Sequence, residues 1–311
     1  MLIMLYCSGQ RSEQMMDSNI LQGTVIRGIG SFYTVRDKNG KEYILRCKKK
    51  FRREHMSPLT GDEVMFTPGD GEMHGWLEEI LPRKTICLRP PVANVTHLII
   101  VIAPVPEADL LLTDRMIVRA ASQGMKVTLA VNKNDLDPGL ADKLRAEYAE
   151  SGIGIAAVSA LTGFGLETLR DKMRGELCCM TGQSGAGKST LLNALLGLNL
   201  ETGDISQRIA RGKNTTRHAE LIVKNDICVM DTAGFSLLEP ERDMCPEMLK
   251  ERYPEFIKYE GKCRFRECLH DREPGCAVDE ASRNGEINPA RLKRYRELLS
   301  ELRESWRERY D

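Results

Sequence analysis

The stretch GQSGAGKST at residues 182–190 leaves the surrounding chain few choices. It fits Gly-x-x-x-x-Gly-Lys-Ser/Thr, a loop whose backbone amides turn inward around phosphate oxygens. Such a loop works between a buried strand and a helix N-terminus, where free N–H groups and the helix dipole face the anion. The flanks comply: the apolar run ELCCMT precedes the loop and the helical pattern KSTLLNALLG follows it. A strand feeding a helix in this way implies a mostly parallel sheet, with ligands at the carboxyl ends of its strands. Gly182, Gln183, Ser184, Gly185, Ala186 and Gly187 form the expected phosphate cradle. Lys188 is expected to reach the β- and γ-phosphates, Ser189 to offer its hydroxyl to Mg²⁺, and Thr190 to reach the α-phosphate.

The neighbouring sequence extends this α/β pattern. VTHLIIVIA, KVTLAVN, GIAAVSA and ICVMDT read as strands, separated by the amphipathic runs ADLLLTDRMIVRAASQ, PGLADKLRAEYAES and GLETLRDKMR. Residues 90–240 therefore read as one domain with helices on both faces of the sheet. The other motifs sit at its strand ends. Asn132, Lys133, Asn134 and Asp135 form an Asn-Lys-x-Asp turn. A carboxylate at Asp135 would accept hydrogen bonds from the ring N–H and the amino group of guanine, and adenine lacks both there, so losing them costs several kcal/mol. Lys133 would lie along the base and Asn132 would tie this turn to the phosphate loop. Ser159 and Ala160 end the next strand, with the Ala160 amide placed for guanine O6. Asp231 and Gly234, in DTAG, would hold Mg²⁺ through water and sense the γ-phosphate, and Thr216 would complete the Mg²⁺ shell. Lys188, Ser189, Thr216, Asp231 and Gly234 are thus the expected catalytic set. The order is unusual: base motifs come first, then phosphate loop, then switches. Joining the old ends and opening new ones preserves such a sheet, because domain termini lie at the surface and close together. Phe235 follows Gly234 where a water-orienting Gln is common, which predicts slow intrinsic hydrolysis, with the missing group supplied from elsewhere.

Two further regions flank this domain. Residues 19–85 carry five short β runs punctuated by DKNG and TPGDGEMHG, which suggests a small closed barrel of the OB type that binds RNA. The basic segment KKKFRREH reads as a solvated loop or as the flank of a nucleic-acid groove. Residues 245–311 read as a helical domain, opening with the charged helix PEMLKERYPEFI and closing with a long helix capped by Asn288 and Pro289. Between them, Cys263, Cys268, His270 and Cys276 give C-x₄-C-x-H-x₅-C, a ligand set for one closed, structural Zn²⁺ site. Cys178, Cys179 and Cys228 lie in apolar runs and read as buried small hydrophobes.

Composition excludes other classes. The chain has 45 basic and 45 acidic residues, so bulk charge selects no partner and any nucleic-acid contact must be local. No apolar run is long enough to cross a bilayer, and MLIMLYCSGQ lacks the basic region of a signal peptide. Residues 1–18 read as a disordered leader, and the chain as a cytoplasmic monomer.

The permuted motif order, the preceding barrel and the Cys₃His pattern together resemble a bacterial family, the circularly permuted small-ribosomal-subunit biogenesis GTPases, RsgA (also YjeQ or YloQ). The resemblance covers roughly residues 19–300. It implies GTP binding and Mg²⁺-dependent hydrolysis, docking on the small (30S) subunit and its 16S rRNA, late subunit maturation, and hydrolysis stimulated by the subunit. Two positions depart from the family pattern. Asn214 stands where a His usually precedes the Thr-Thr pair, and Ala233 where Pro is usual. The main alternative is an RNA-binding scaffold that holds GTP as a structural ligand. A P-loop ATPase or small-molecule kinase is disfavoured by Asp135.

Overall fold

The computed structural model describes residues 20–48, 50–51, 56–70, 73–88, 91–198, 220–224, 226–231 and 244–308. The proposed leader (1–18), Thr216, Asn214, Ala233, Gly234 and Phe235 lie outside them, as does the side chain of Asp231.

Five strands form the N-terminal barrel: β1 (Leu21–Ile29), β2 (Phe32–Asp37), β3 (Glu42–Cys47), β4 (Glu63–Thr67) and β5 (Gly75–Ile80). Their order, β1-β2-β3-β5-β4, closes through β1–β4 pairing, with β3 and β5 parallel and the other pairs antiparallel. This is the expected OB-like topology. Alternate residues point inward, so Val25, Val35, Leu45, Val64, Phe66 and Leu77 fill the barrel. Within KKKFRREH, Phe51 turns inward, 2% exposed and part of that core, while residues 49 and 52–55 lie outside the described residues. Burying one aromatic ring removes a large apolar surface from water, so Phe51 plugs the barrel.

A short hairpin, β6 (Ile86–Leu88) and β7 (Pro91–Ala93), leads into the central sheet. Its strands are β8 (His97–Ile102), β9 (Lys126–Val131), β10 (Gly154–Ala157), β11 (Leu177–Thr181), β12 (Glu220–Lys224) and β13 (Ile227–Asp231). The order is β10-β9-β8-β11-β13-β12, parallel except for β12. Every residue of β8 is buried because both faces are covered. Leu98, Ile100 and Ile102 meet helices α1 (Leu110–Ser122) and α2 (Gly139–Glu147). Ile99 and Val101 meet α3 (Leu166–Met173) and α4 (Lys188–Leu196) on the other face. The barrel joins this sheet edge-on, where Arg27 of β1 pairs with Glu220 of β12.

The C-terminal unit differs from its sequence reading at one point. PEMLKERYPEFI is not one helix but two 3₁₀ segments, Pro246–Arg252 and Pro254–Tyr259. Pro254 has no N–H to continue a helix and forces Tyr253 into an extended conformation. Helices α5 (Ala277–Arg283) and α6 (Pro289–Arg307) follow, and the Asn288 side chain caps α6 by accepting from the Ala290 and Arg291 amides. Tyr253, Phe256, Tyr295 and Leu299 form this unit's core, to which α1 contributes Val118.

If Phe51 plugs the barrel, Phe51→Ala should destabilise that unit by about 3–5 kcal/mol, the usual range for a buried aromatic truncated to Ala. Hydrogen exchange across β1–β5 in the full chain measures this, and unchanged exchange there would return Phe51 to the surface.

Candidate nucleotide and metal sites

The phosphate loop leaves β11 after Thr181, and Lys188 opens α4. Backbone geometry explains its glycines. Gly182 has φ +136°, and a Cβ there would lie 2.1 Å from the Val101 carbonyl oxygen. At Gly187, φ is +88° and a Cβ would lie 2.5 Å from Asn132 Nδ2. Both positions exclude a side chain, on conformation and on space. The Lys188 ammonium folds over the loop and donates to the Gly182 and Gln183 carbonyls at 2.9 Å each. Burial lowers its pKa, so an anion is its natural partner in this recess. Ser189 and Thr190 fall in the first turn of α4, while Ser184 and Gly185 are exposed at the loop's tip.

The Asn-Lys-x-Asp turn faces this loop. Asn132 is 2% exposed and joins three segments. Its amide Nδ2 donates to Ala186 O at 3.0 Å, and its Oδ1 accepts from the Ala160 amide at 3.1 Å. Lys133 has φ +59° and donates to Gly185 O at 2.9 Å and to Val105 O. The Asn134 amide donates to Val158 O at 3.0 Å, anchoring the turn to the strand end beyond β10. Ser159 Oγ donates to Asp135 Oδ1 at 2.5 Å, which aims the exposed carboxylate. The Ala160 amide, expected for guanine O6, is therefore engaged by Asn132. The pattern Ser-Ala carried no sign of this, because the acceptor belongs to a residue distant in sequence.

One contact was not legible at all. Gln183 Oε1 accepts the Asp109 amide at 3.1 Å, binding the phosphate loop to the start of α1. Asp231 ends β13, beside the strand that feeds the phosphate loop.

A second cluster lies in the C-terminal unit. The ligand atoms of Cys263, Cys268, His270 and Cys276 lie within 4.8 Å of one another. His270 Nδ1 is 3.6 Å from the sulfurs of Cys263 and Cys268, and 3.4 Å from that of Cys276. A tetrahedral ion with bonds of about 2.0–2.3 Å has edges of roughly 3.5–3.8 Å, which the separations of His270 from the three sulfurs approach, so the donor set suits one small metal ion. Burial pushes the Cys268 and Cys276 thiols up and holds the His270 imidazole down, to about 4, in its neutral ligating form. The Ala277 amide donates to Cys263 Sγ and the His270 amide to Cys268 Sγ, contacts that suit thiolates. Glu273 fixes the knuckle between the cysteines by accepting from the Leu269 and Asp271 amides at 2.9 and 2.7 Å. All four positions of the tetrahedron are protein ligands, which is the arrangement of a structural metal.

Comparisons with known proteins agree with this anatomy. Residues 80–241 match the family described as RsgA GTPase, and residues 22–77 match the RsgA N-terminal domain. A small ribosomal subunit biogenesis GTPase RsgA of Ruminiclostridium cellulolyticum is 40% identical over 288 residues, covering 91% of this chain and 94% of its own. The RsgA of Geobacillus thermodenitrificans is 39% identical over 289 residues, covering 91% and 98%. The crystal structure of YjeQ from Thermotoga maritima superposes with a TM-score of 0.79 at 34% identity, covering 91% of this chain and 98% of that one. That of YloQ, a circularly permuted GTPase, gives 0.75 at 29% identity, covering 96% and 98%. The chain belongs to the RsgA family of circularly permuted GTPases.

Proposed function

We propose that the chain binds and hydrolyses GTP with Mg²⁺ during maturation of the small ribosomal subunit. The observation that carries this is Asn132, whose one side chain fastens the turn bearing Asp135 to the phosphate loop. Guanine recognition falls to Asn132, Lys133, Asp135, Ser159 and Ala160. Phosphate binding falls to the 182–187 amides, Lys188 and Thr190. Bound Mg²⁺ would supply charge neutralisation at the β- and γ-phosphates, and Ser189, Thr216 and Asp231 are the residues proposed to hold it. Lys188 holds charge against the transferred phosphoryl, and the Gly234 amide is proposed to sense it.

The Cys₃His cluster is proposed to hold one zinc ion, since three thiolates and an imidazole are its preferred tetrahedral set. Its role is to order the knuckle, because no coordination position remains for substrate.

Contact with 16S rRNA is proposed for the barrel's outer face. Phe32, Arg46 and Trp76 lie directly across from one another on β2, β3 and β5. The Arg46 guanidinium sits 4.9 Å from the centre of the Phe32 ring, and His74 meets that ring edge-on at 4.9 Å. Trp76 is 45% exposed. A row of rings with an arginine suits unpaired bases and their phosphates. Among the described residues no helix is long and apolar enough to cross a membrane, which fits action on ribosomes in the cytoplasm.

Three outcomes are expected. Asp135→Asn replaces two acceptor contacts with a mismatch, so GTP should bind about 100-fold more weakly or worse, at roughly 1.5–3 kcal/mol per charged hydrogen bond. Xanthosine triphosphate, with oxygen where guanine has its amino group, should be favoured instead. Equal GTP affinity in competition binding rules out the base assignment. Purified chain should carry one zinc, and Cys276→Ser should lose it and melt earlier. Elemental analysis finding full zinc in that variant contradicts the ligand set. Trp76→Ala should weaken co-sedimentation with small subunits by about 1–3 kcal/mol, the usual loss per stacked base. Turnover with and without subunits tests the enzyme reading: no stimulation would favour the scaffold alternative.

A further inference from the structure

The Gln183–Asp109 contact acquires weight from what lies farther along α1. That helix is packed on two sides. Met116, Ile117 and Ala120 face the sheet, and Val118 lies in the core of the C-terminal unit. At its N-terminus the Asp109 side chain caps the first turn through the Leu112 amide, and the Asp109 amide donates to Gln183 of the phosphate loop. Between these contacts sits Asp114, fully buried.

Asp114 is the hub of an ionic network that crosses from the GTPase sheet to the C-terminal unit. Its Oδ2 accepts from Arg294 Nε at 2.5 Å, its Oδ1 accepts from Tyr148 Oη at 2.6 Å, and Arg291 pairs with it as well. Arg294 also pairs with Glu147, the last residue of α2. Arg291 donates to Glu255 at 2.8 Å, and its guanidinium lies 4.8 Å and 4.4 Å from the Tyr148 and Tyr253 ring centres. Burial alone would lower the pKa of both arginines, but Asp114 together with the neighbouring glutamates and tyrosines more than offsets it and keeps them charged. A buried ion network is a poor source of stability, since desolvation offsets most of its attraction. What it supplies is geometry. Apolar helix faces slide by fractions of an ångström at little cost, whereas fixed donors and acceptors in a dry interface do not.

We propose that Asp114, Arg291 and Arg294 are positioning residues that couple the phosphate loop to the C-terminal unit. They lock α1 to α6, and α1 holds the loop through Gln183. The C-terminal unit thus reads nucleotide occupancy by a route separate from the switch that leads into it. The inference rests on the reading of residues 182–190 as a nucleotide site.

Hydrogen exchange of the full zinc-loaded chain, with and without GDP, tests the route. In the wild type, GDP should slow exchange at 182–196 and also, about fivefold, at 110–118 and 289–302, near the low end of typical site–site couplings. Arg294→Met should keep the protection at 182–196 and lose it at 289–302. Gln183→Ala, with GDP raised until 182–196 is again protected, should lose the protection at 289–302 with the ion network intact, which a merely structural role for that network would not produce. Should Arg294→Met fail to fold, the exposed α1–α6 pair Arg115–Glu301, at 2.6 Å, offers a gentler probe. Arg115→Glu and Glu301→Arg should each reduce the distant protection, and the double reversal should restore it. Absence of a GDP effect at 289–302 in the wild type, or its persistence in these variants, overturns the proposal. No protection even at 182–196 would instead remove the nucleotide site, and the clamp's role with it.

Discussion

The structure of the nucleotide cleft depends on a single carboxamide. Asn132 is buried where three loops meet, and it spends its donor on Ala186 and its acceptor on Ala160. Neither partner has a side chain able to make the bond, so both contacts are to backbone and specify position rather than residue type. Removing that side chain would leave a buried N–H and a buried carbonyl without partners, at about 1–3 kcal/mol each. The contact also explains Gly187, which must lack a Cβ for the carboxamide to approach.

The sequence made the cleft legible because its parts are local. A phosphate loop is defined by glycines at fixed spacing, and strand ends are marked by abrupt loss of apolar character at Asn132 and Gly182. The five barrel strands were readable for the same reason, each bounded by its own turn. What escaped was set by contacts distant in sequence. Phe51 looked like part of a basic loop because nothing in KKKFRREH signals that the ring turns inward. Nothing in ADLLLTDRMIVRAASQ signals that Asp114 is buried, because its arginine partners lie on α6 at the far end of the chain. PEMLKERYPEFI was misread for a local reason, an internal proline given too little weight against a helical pattern.

The three units are joined by different physics. Among the described residues, barrel and sheet meet through the backbone pairing of Arg27 with Glu220, supported by Asn94 Nδ2 donating to Gly61 O. Sheet and C-terminal unit share a helix whose opposite sides belong to two cores. The cysteines divide along the same lines. Burial raises the Cys178 thiol to about 12 and the Cys228 thiol to about 11, which leaves them inert inside the sheet, whereas the knuckle sulfurs converge on one point.

The strand order has a consequence for how the cleft comes into being. β8, β9 and β10 pair in the sequence in which they are made, extending the sheet in one direction from its middle. β11 must then return to the opposite flank of β8. As the chain is synthesised from its N-terminus, the half that carries Asn132 and Asp135 emerges with α1 and α2 available to cover one face. The phosphate half arrives afterwards and docks on an edge already formed. The turn proposed to read guanine is thus assembled first, and the carboxamide of Asn132 stands ready as the latch on which the later-arriving loop closes.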